Sequence, residues 1–257
     1  MERITSKTNK IIKDTKKLIT SSSARRANGL FVLEGARLCF DVLNSVYKVK
    51  MLFVTEKLLE KYQAEVEALA DKSERAYIIT DEIADKLTDT DTPQGIFAVC
   101  EMAESTAPLG KKAVALDNVQ TPSNVGAIIR TAEALGIDSV IIGGGCDIYN
   151  PKVLRASMGS VLRMNIIICD DLAETLCNLK PYYQTFATVP KSSATPITKI
   201  DFTNPTVCVI GNEANGVSAE VLDAADGQIT IPMKGKAESL NASVAASVTM
   251  WEMMRCD

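Results

Sequence analysis

Three short polar segments carry most of the chemistry-bearing side chains of this 257-residue chain: N-V-G-A-I-I-R at 124–130, G-N-E-A-N-G at 211–216, and I-P-M-K-G-K-A-E-S-L-N at 231–241. Each follows a short apolar run. An α/β sheet places such loops at its carboxyl edge, where these sheets bind ligands. In the first segment Asn124 is set to cap a helix, and Gly126 lets a backbone or ligand come close. Arg130 points away from the apolar stripe Val125, Ile128, Ile129, Ala132 and Leu135 and offers a planar fork suited to phosphate. In the second, Gly211 and Gly216 bracket Asn212, Glu213 and Asn215; a turn alone explains the glycines but not the Glu. In the third, Ser239 is set to cap the last helix while Asn241 faces the loop. Ile231, Met233 and Leu240 give an apolar rim suited to a flat heteroaromatic ring.

The chain has no His, so a Ser-His-Asp triad, a Cys-His pair and an imidazole base are all excluded. Seven cysteines without a C-x-x-C pair, and without His, do not support a zinc site; no metal is expected. They read as reduced thiols of a cytoplasmic protein. No P-loop or dinucleotide fingerprint is present, since Ile148 stands where the glycine run 143–145 would need its third Gly. No apolar run is long enough for a membrane span, and the Lys-rich start lacks a secretory core. Net charge is −4, yet residues 1–30 hold eight Lys or Arg against two acids, leaving +6 there and −10 elsewhere. A cationic arm on an acidic body is a candidate phosphate-binding surface, with Lys7, Lys10, Lys13, Arg25 and Arg26 as its cations.

Hydrophobic periodicity places these residues on two α/β domains, 1–102 and 113–257, joined by a small, polar linker at 103–112. The first has helices at 9–20, 35–45, 56–69 and 81–87, with strands at 30–33, 49–54, 76–79 and 96–100. The second has near-continuous apolar strands at 113–116, 139–142, 165–169, 185–189, 206–210 and 228–231. Such strands, alternating with helices at 125–135, 151–158, 172–179 and 218–225, indicate a parallel sheet covered on both faces. A last helix over 240–255 lines up Leu240, Val244, Val248, Trp251 and Met254, a stripe fit for core packing or for covering a second copy.

In combination and order, the three segments resemble the signature motifs of the SpoU-type RNA ribose 2′-O-methyltransferases of the SPOUT superfamily. The segments F-V-L-E-G-A-R at 31–37 and T-P-Q-G-I at 92–96 resemble that family's substrate-binding domain, a smaller α/β RNA-binding module. The resemblance implies a parallel sheet with a C-terminal trefoil knot, an exception to the unknotted rule. It also implies S-adenosylmethionine as cofactor and a homodimer with its active site at the subunit interface. It assigns Gly211, Ile231, Met233, Leu240 and Thr188 to the cofactor. Asn124, Arg130, Glu213, Ser239 and Asn241 form the catalytic patch, and Arg37 joins the RNA-binding cations. Relatives often carry His where this chain has Ser123.

The reaction so implied is attack of a ribose 2′-hydroxyl on the cofactor's methyl group. The family's proposal of Arg130 as base is physically awkward, since guanidinium rarely gives up a proton. The preferred reading has Arg130 bind phosphate and stabilise the forming alkoxide, with Glu213 and Asn124 holding the guanidinium. Ribosomal RNA is the first expected substrate and transfer RNA the second. A base methyltransferase of the same superfamily and a non-catalytic RNA-binding protein remain as alternatives; an oxidoreductase is disfavoured by the missing fingerprint.

Overall fold

Strand-forming apolar runs dominate both halves, and the computed structural model, which describes residues 1–88, 90, 93–103 and 107–255, pairs them into two sheets. The first contains β1 (Glu2–Ile4), β2 (Leu30–Glu34), β3 (Val49–Thr55), β4 (Ser73–Ile79) and β5 (Ile96–Glu101) in the order β1-β4-β3-β5-β2. β5 runs antiparallel to both neighbours, and the other pairings are parallel. The second contains β6 (Lys112–Asp117), β7 (Ser139–Gly143), β8 (Asn165–Cys169), β9 (Gln184–Thr188), β10 (Thr195–Pro196), β11 (Thr206–Ile210) and β12 (Gly227–Thr230). It is parallel throughout, in the order β10-β12-β9-β11-β6-β7-β8. β6 and β11 sit at its centre and are buried along their whole length. That is why they read as unbroken apolar runs.

Eleven α-helices complete the described residues: α1 (Lys10–Thr20), α2 (Ser22–Asn28), α3 (Ala36–Asp41), α4 (Glu56–Lys61), α5 (Gln63–Asp71), α6 (Asp81–Leu87), α7 (Pro122–Leu135), α8 (Pro151–Ala156), α9 (Leu172–Leu179), α10 (Ala219–Ala224) and α11 (Ala242–Met254). The chain separates into two compact units, and the boundary is not a single cut. Residues 149–162, which include α8, cluster with residues 1–103 rather than with the second sheet. Tyr149 explains this in part: its ring lies 4.5 Å from that of Phe31, and its hydroxyl donates to the Ala103 carbonyl. Arg155 on α8 adds an ion pair to Glu34 at 3.6 Å. Residues 104–106 of the expected linker lie outside the described residues, as do Thr92 of the T-P-Q-G-I segment and Cys256.

One expected helix is divided, and one helix was not expected. The helix expected over 56–69 is two helices, because Tyr62 leaves the helical region (φ −132°, ψ 48°) and sets its ring edge-on against Phe40. The segment after α1 forms α2, capped by Ser21 at its start and by left-handed Gly29 at its end.

Arg25, expected on the RNA-binding surface, is only 2% exposed. Its guanidinium donates to the carbonyls of Leu18 and Ile19, satisfying the open end of α1. Lys7 pairs with Glu82 at 3.1 Å. Lys10, Lys13, Arg26 and Arg37 are exposed, and their side chains have no partner among the described residues.

Candidate active site

The site is built from three strand exits of the second unit. β6 ends at Asp117, β11 at Ile210 and β12 at Thr230; the second and third polar segments begin at the next residue, and the first begins seven residues on. Asp117 is itself buried and accepts the Ser218 N–H at 2.7 Å, which fastens the loop after β11 to the end of β6. That loop closes on itself: Asn212 and Gly216 exchange both backbone hydrogen bonds at 2.9 Å. A Cβ on Gly211 would stand 2.2 Å from the Gly216 carbonyl carbon, so only glycine permits this closure. Asn212 Oδ1 accepts the N–H groups of Ala214 and Asn215 and completes the turn.

The first segment starts α7 one turn earlier than expected. Thr121 is the N-cap residue, with no side-chain cap bond, and Pro122 opens the helix. Asn124, expected at the cap, instead lies inside the first turn and is buried. Glu213 reaches across from the β11 loop to serve this helix start. Its carboxylate accepts the N–H of Gln120 at 3.0 Å, the N–H of Thr121 at 2.9 Å and Asn124 Nδ2 at 2.8 Å. A carboxylate at the positive end of a helix is favourable for the same reason. Partial burial works to raise the Glu213 carboxyl. The bonds from Gln120, Asn124 and Thr121 outweigh it and pull the group down to about 2.

The third segment joins through Asn241. Its Nδ2 donates to Asn124 Oδ1 at 3.2 Å, while its Oδ1 accepts the N–H groups of Ser243 and Val244. Asn241 is thus the cap of α11, the role expected of Ser239. Glu213, Asn124 and Asn241 form one continuous hydrogen-bonded line across the three loops.

Beside this line lies a cleft of about 420 Å³. Thr188, Gly211, Ile231, Met233 and Leu240, the five residues assigned to the cofactor, all line it, as do Glu213 and Ser239. Thr188 is fixed there by its hydroxyl, which donates to the Val209 carbonyl at 2.7 Å. The volume and the mix of apolar rim and polar backbone suit a nucleoside-sized ligand such as S-adenosylmethionine.

Arg130 is placed differently from the expectation. It is exposed on α7, about 9 Å along the axis from Asn124 at the α-helical rise. Its side chain has no ion pair or hydrogen bond among the described residues. Glu213 and Asn124 are bonded instead to the start of α7 and to Asn241, and within one chain they do not hold the guanidinium. The spacing of the motifs gave no sign of Gln120 or Thr121, which meet Glu213 through their backbone N–H groups. Ser123 is exposed.

Comparison with known proteins bears directly on this geometry. Residues 111–251 match the SpoU rRNA Methylase family, and residues 9–98 match the MRM3-like substrate binding domain. The chain is 32% identical over 255 residues to the 23S rRNA (guanosine(2553)-2′-O)-methyltransferase RlmP of Bacillus subtilis, covering 98% of this chain and 99% of that protein. Among solved structures, the AdoMet-bound rRNA methyltransferase from Sinorhizobium meliloti superposes with a TM-score of 0.88 at 28% identity, covering 99% of this chain and 98% of that one. AviRb from Streptomyces viridochromogenes, in complex with the cofactor AdoMet, gives 0.85 at 25% identity over 96% and 98%. The chain therefore belongs to the SpoU rRNA methylase family, and is an S-adenosylmethionine-dependent RNA ribose 2′-O-methyltransferase.

Proposed function

We propose that this protein methylates one ribose 2′-hydroxyl of ribosomal RNA, and that Asn124, Arg130, Glu213, Ser239 and Asn241 serve the transfer. The observation that carries the residue assignment is the Glu213–Asn124–Asn241 line along the edge of the cleft. The relative from Bacillus subtilis makes a guanosine of 23S ribosomal RNA the first nucleotide to test, with transfer RNA second.

S-adenosylmethionine supplies a methyl group on a sulfonium that is its own leaving group. Thr188, Gly211, Ile231, Met233 and Leu240 hold it in the cleft. The ribose 2′-oxygen enters beside Asn124 and Asn241, and its bond to the methyl carbon forms as the carbon–sulfur bond breaks. Alignment by fixed side chains supplies much of the rate. Arg130 grips an RNA phosphate and stabilises negative charge on the 2′-oxygen, while the proton leaves to water late in the step.

Pairing of two copies explains why Arg130 stands apart from its expected partners. The apolar face of α11 is bare: Val244 and Val248 are exposed, and Trp251 is 62% exposed. Exposed aromatics of this kind mark interfaces. A homodimer closed over this face brings the Arg130 of one protomer toward the cleft of the other. The parallel sheet, with β11 inserted between β9 and β6, is compatible with the family's C-terminal knot. No helix among the described residues is long and apolar enough to cross a membrane; a cytoplasmic location is the reading that goes with a ribosomal RNA substrate. Residues 1–102, with Lys10, Lys13, Arg26 and Arg37, deliver the RNA.

The test is transfer of a labelled methyl group to ribosomal RNA, followed by digestion to nucleosides and mass spectrometry. Label on the sugar supports the reading. Label on a base, or none, overturns it.

A further inference from the structure

Two exposed side chains beside the site take no part in the chemistry above. Asn118 and Gln120 flank the buried Val119 between β6 and α7, and neither lines the cofactor cleft. Both are nevertheless tied to residues that do line it. The Gln120 N–H donates to Glu213, and Asn212 Nδ2 donates to the Asn118 carbonyl at 2.8 Å. The two amides are tied to each other, Gln120 Nε2 donating to Asn118 Oδ1 at 2.7 Å.

Asn118 is held in the left-handed region at φ 53°, one of two non-glycine residues so placed among the described residues. Asn tolerates that conformation better than most residues. The loop after β7 braces it from the far side: Cys146 N–H donates to the Val119 carbonyl at 2.9 Å, and a Cβ on Gly145 would stand 2.3 Å from that oxygen. The shelf is therefore fixed by the β7 loop on one side and the β11 loop on the other. Among the described residues, Gln120 Oε1 and Asn118 Nδ2 have no partner. One acceptor and one donor thus stand open on a braced loop whose own exposed side chains, Asn118, Gln120 and Thr121, are uncharged.

We propose that Asn118 and Gln120 read the nucleobase of the nucleotide whose ribose is methylated. The inference rests on the RNA 2′-hydroxyl reading given above. On that reading the acceptor ribose meets the Glu213–Asn124–Asn241 line from outside the cofactor cleft, and this pair, bonded to Glu213 and Asn212 but outside the cleft lining, stands at that edge. Phosphates are gripped by cations and carry no sequence information. Base edges alternate donors and acceptors, and side-chain amides match them in pairs. Sequence-specific recognition of RNA works mainly on unpaired bases whose edges are free to be read this way. An uncharged amide pair rooted in the catalytic loops is therefore a base reader rather than a phosphate clamp.

The test uses the full chain, S-adenosylmethionine and a 23S ribosomal RNA transcript, with methylation mapped at nucleotide resolution. Gln120→Met keeps the length and removes the hydrogen-bonding atoms, and Asn118→Gly keeps the left-handed backbone. Both variants are expected to bind S-adenosylmethionine like the parent in calorimetry. The rate at the native nucleotide falls roughly ten-fold or more, mainly through KM. Transcripts with another base at that nucleotide, poor substrates for the parent, become comparable to the native one. Unchanged discrimination among the four bases overturns the proposal, as does a loss of activity that tracks a loss of cofactor binding. A parent enzyme that binds cofactor yet leaves the transcript unmethylated overturns the ribosomal reading first, and base reading with it.

Discussion

Arg25 and Arg130 look alike in sequence as candidate RNA contacts, and the two units use them in opposite ways. Arg25, in a dense run of cations, is buried and bonded to the carbonyls of Leu18 and Ile19. Arg130, an isolated cation on a mostly apolar helix, is exposed and free of partners among the described residues. Local charge density therefore says little about which cation meets a polyanion. What decides is whether the surrounding backbone already needs the guanidinium. The end of α1 does; the middle of α7, with its helical hydrogen bonds made, does not.

Removing the two arginines one at a time should have opposite consequences. Arg130→Ala is expected to lower the methyl-transfer rate roughly 10²–10³-fold, with S-adenosylmethionine affinity unchanged in calorimetry. Equal loss of both would mean that the residue supports the fold rather than the reaction. Arg25→Ala is expected to destabilise the N-terminal unit by about 2–4 kcal/mol, read as an earlier urea transition. The salt dependence of RNA binding should stay as it was.

Lys10 and Lys13 sharpen the same contrast from the other side. The double change to Ala should leave the urea midpoint nearly unmoved, because both side chains are solvated and unpaired. It should lower the slope of log K against log salt by about one per residue removed. An unchanged slope would move the RNA surface away from α1.

The smallest effect concerns pH. The Glu213 carboxyl has an ordinary value near 4.5 and a folded value of about 2, so folding favours its ionised form. Its stabilisation of the α7 start is complete above 4.5, declines as pH falls from there, and is gone below about 2. Comparing acid unfolding of the parent with Glu213→Gln should show a shallower decline for the variant within that window. Identical curves would mean that the three bonds to Gln120, Thr121 and Asn124 contribute nothing measurable.

Legibility in the sequence followed the length scale of the signal. The central strands β6 and β11 are buried on both faces, and their unbroken apolar runs announced them. The three-residue β1 and two-residue β10 are too short to show any period, and α2 hid behind α1 because Ser21 ends one helix and caps the next. The convergence of Asn124, Glu213 and Asn241 was readable because each lies in a polar segment that follows an apolar strand. Their partners were not, since Glu213 is bonded to backbone N–H groups that any residue carries. The packing of residues 149–162 with the first unit was equally hidden. It depends on Tyr149 meeting Phe31, a contact more than a hundred positions apart in the chain.

The most direct test of the account is nucleotide-resolution mapping of 2′-O-methylation on ribosomal RNA from a strain lacking this gene. One modified ribose should be lost, the intact chain should restore it, and the Arg130→Ala chain, folded and able to bind cofactor, should not. An unchanged ribosomal map in the deletion strain would contradict the account.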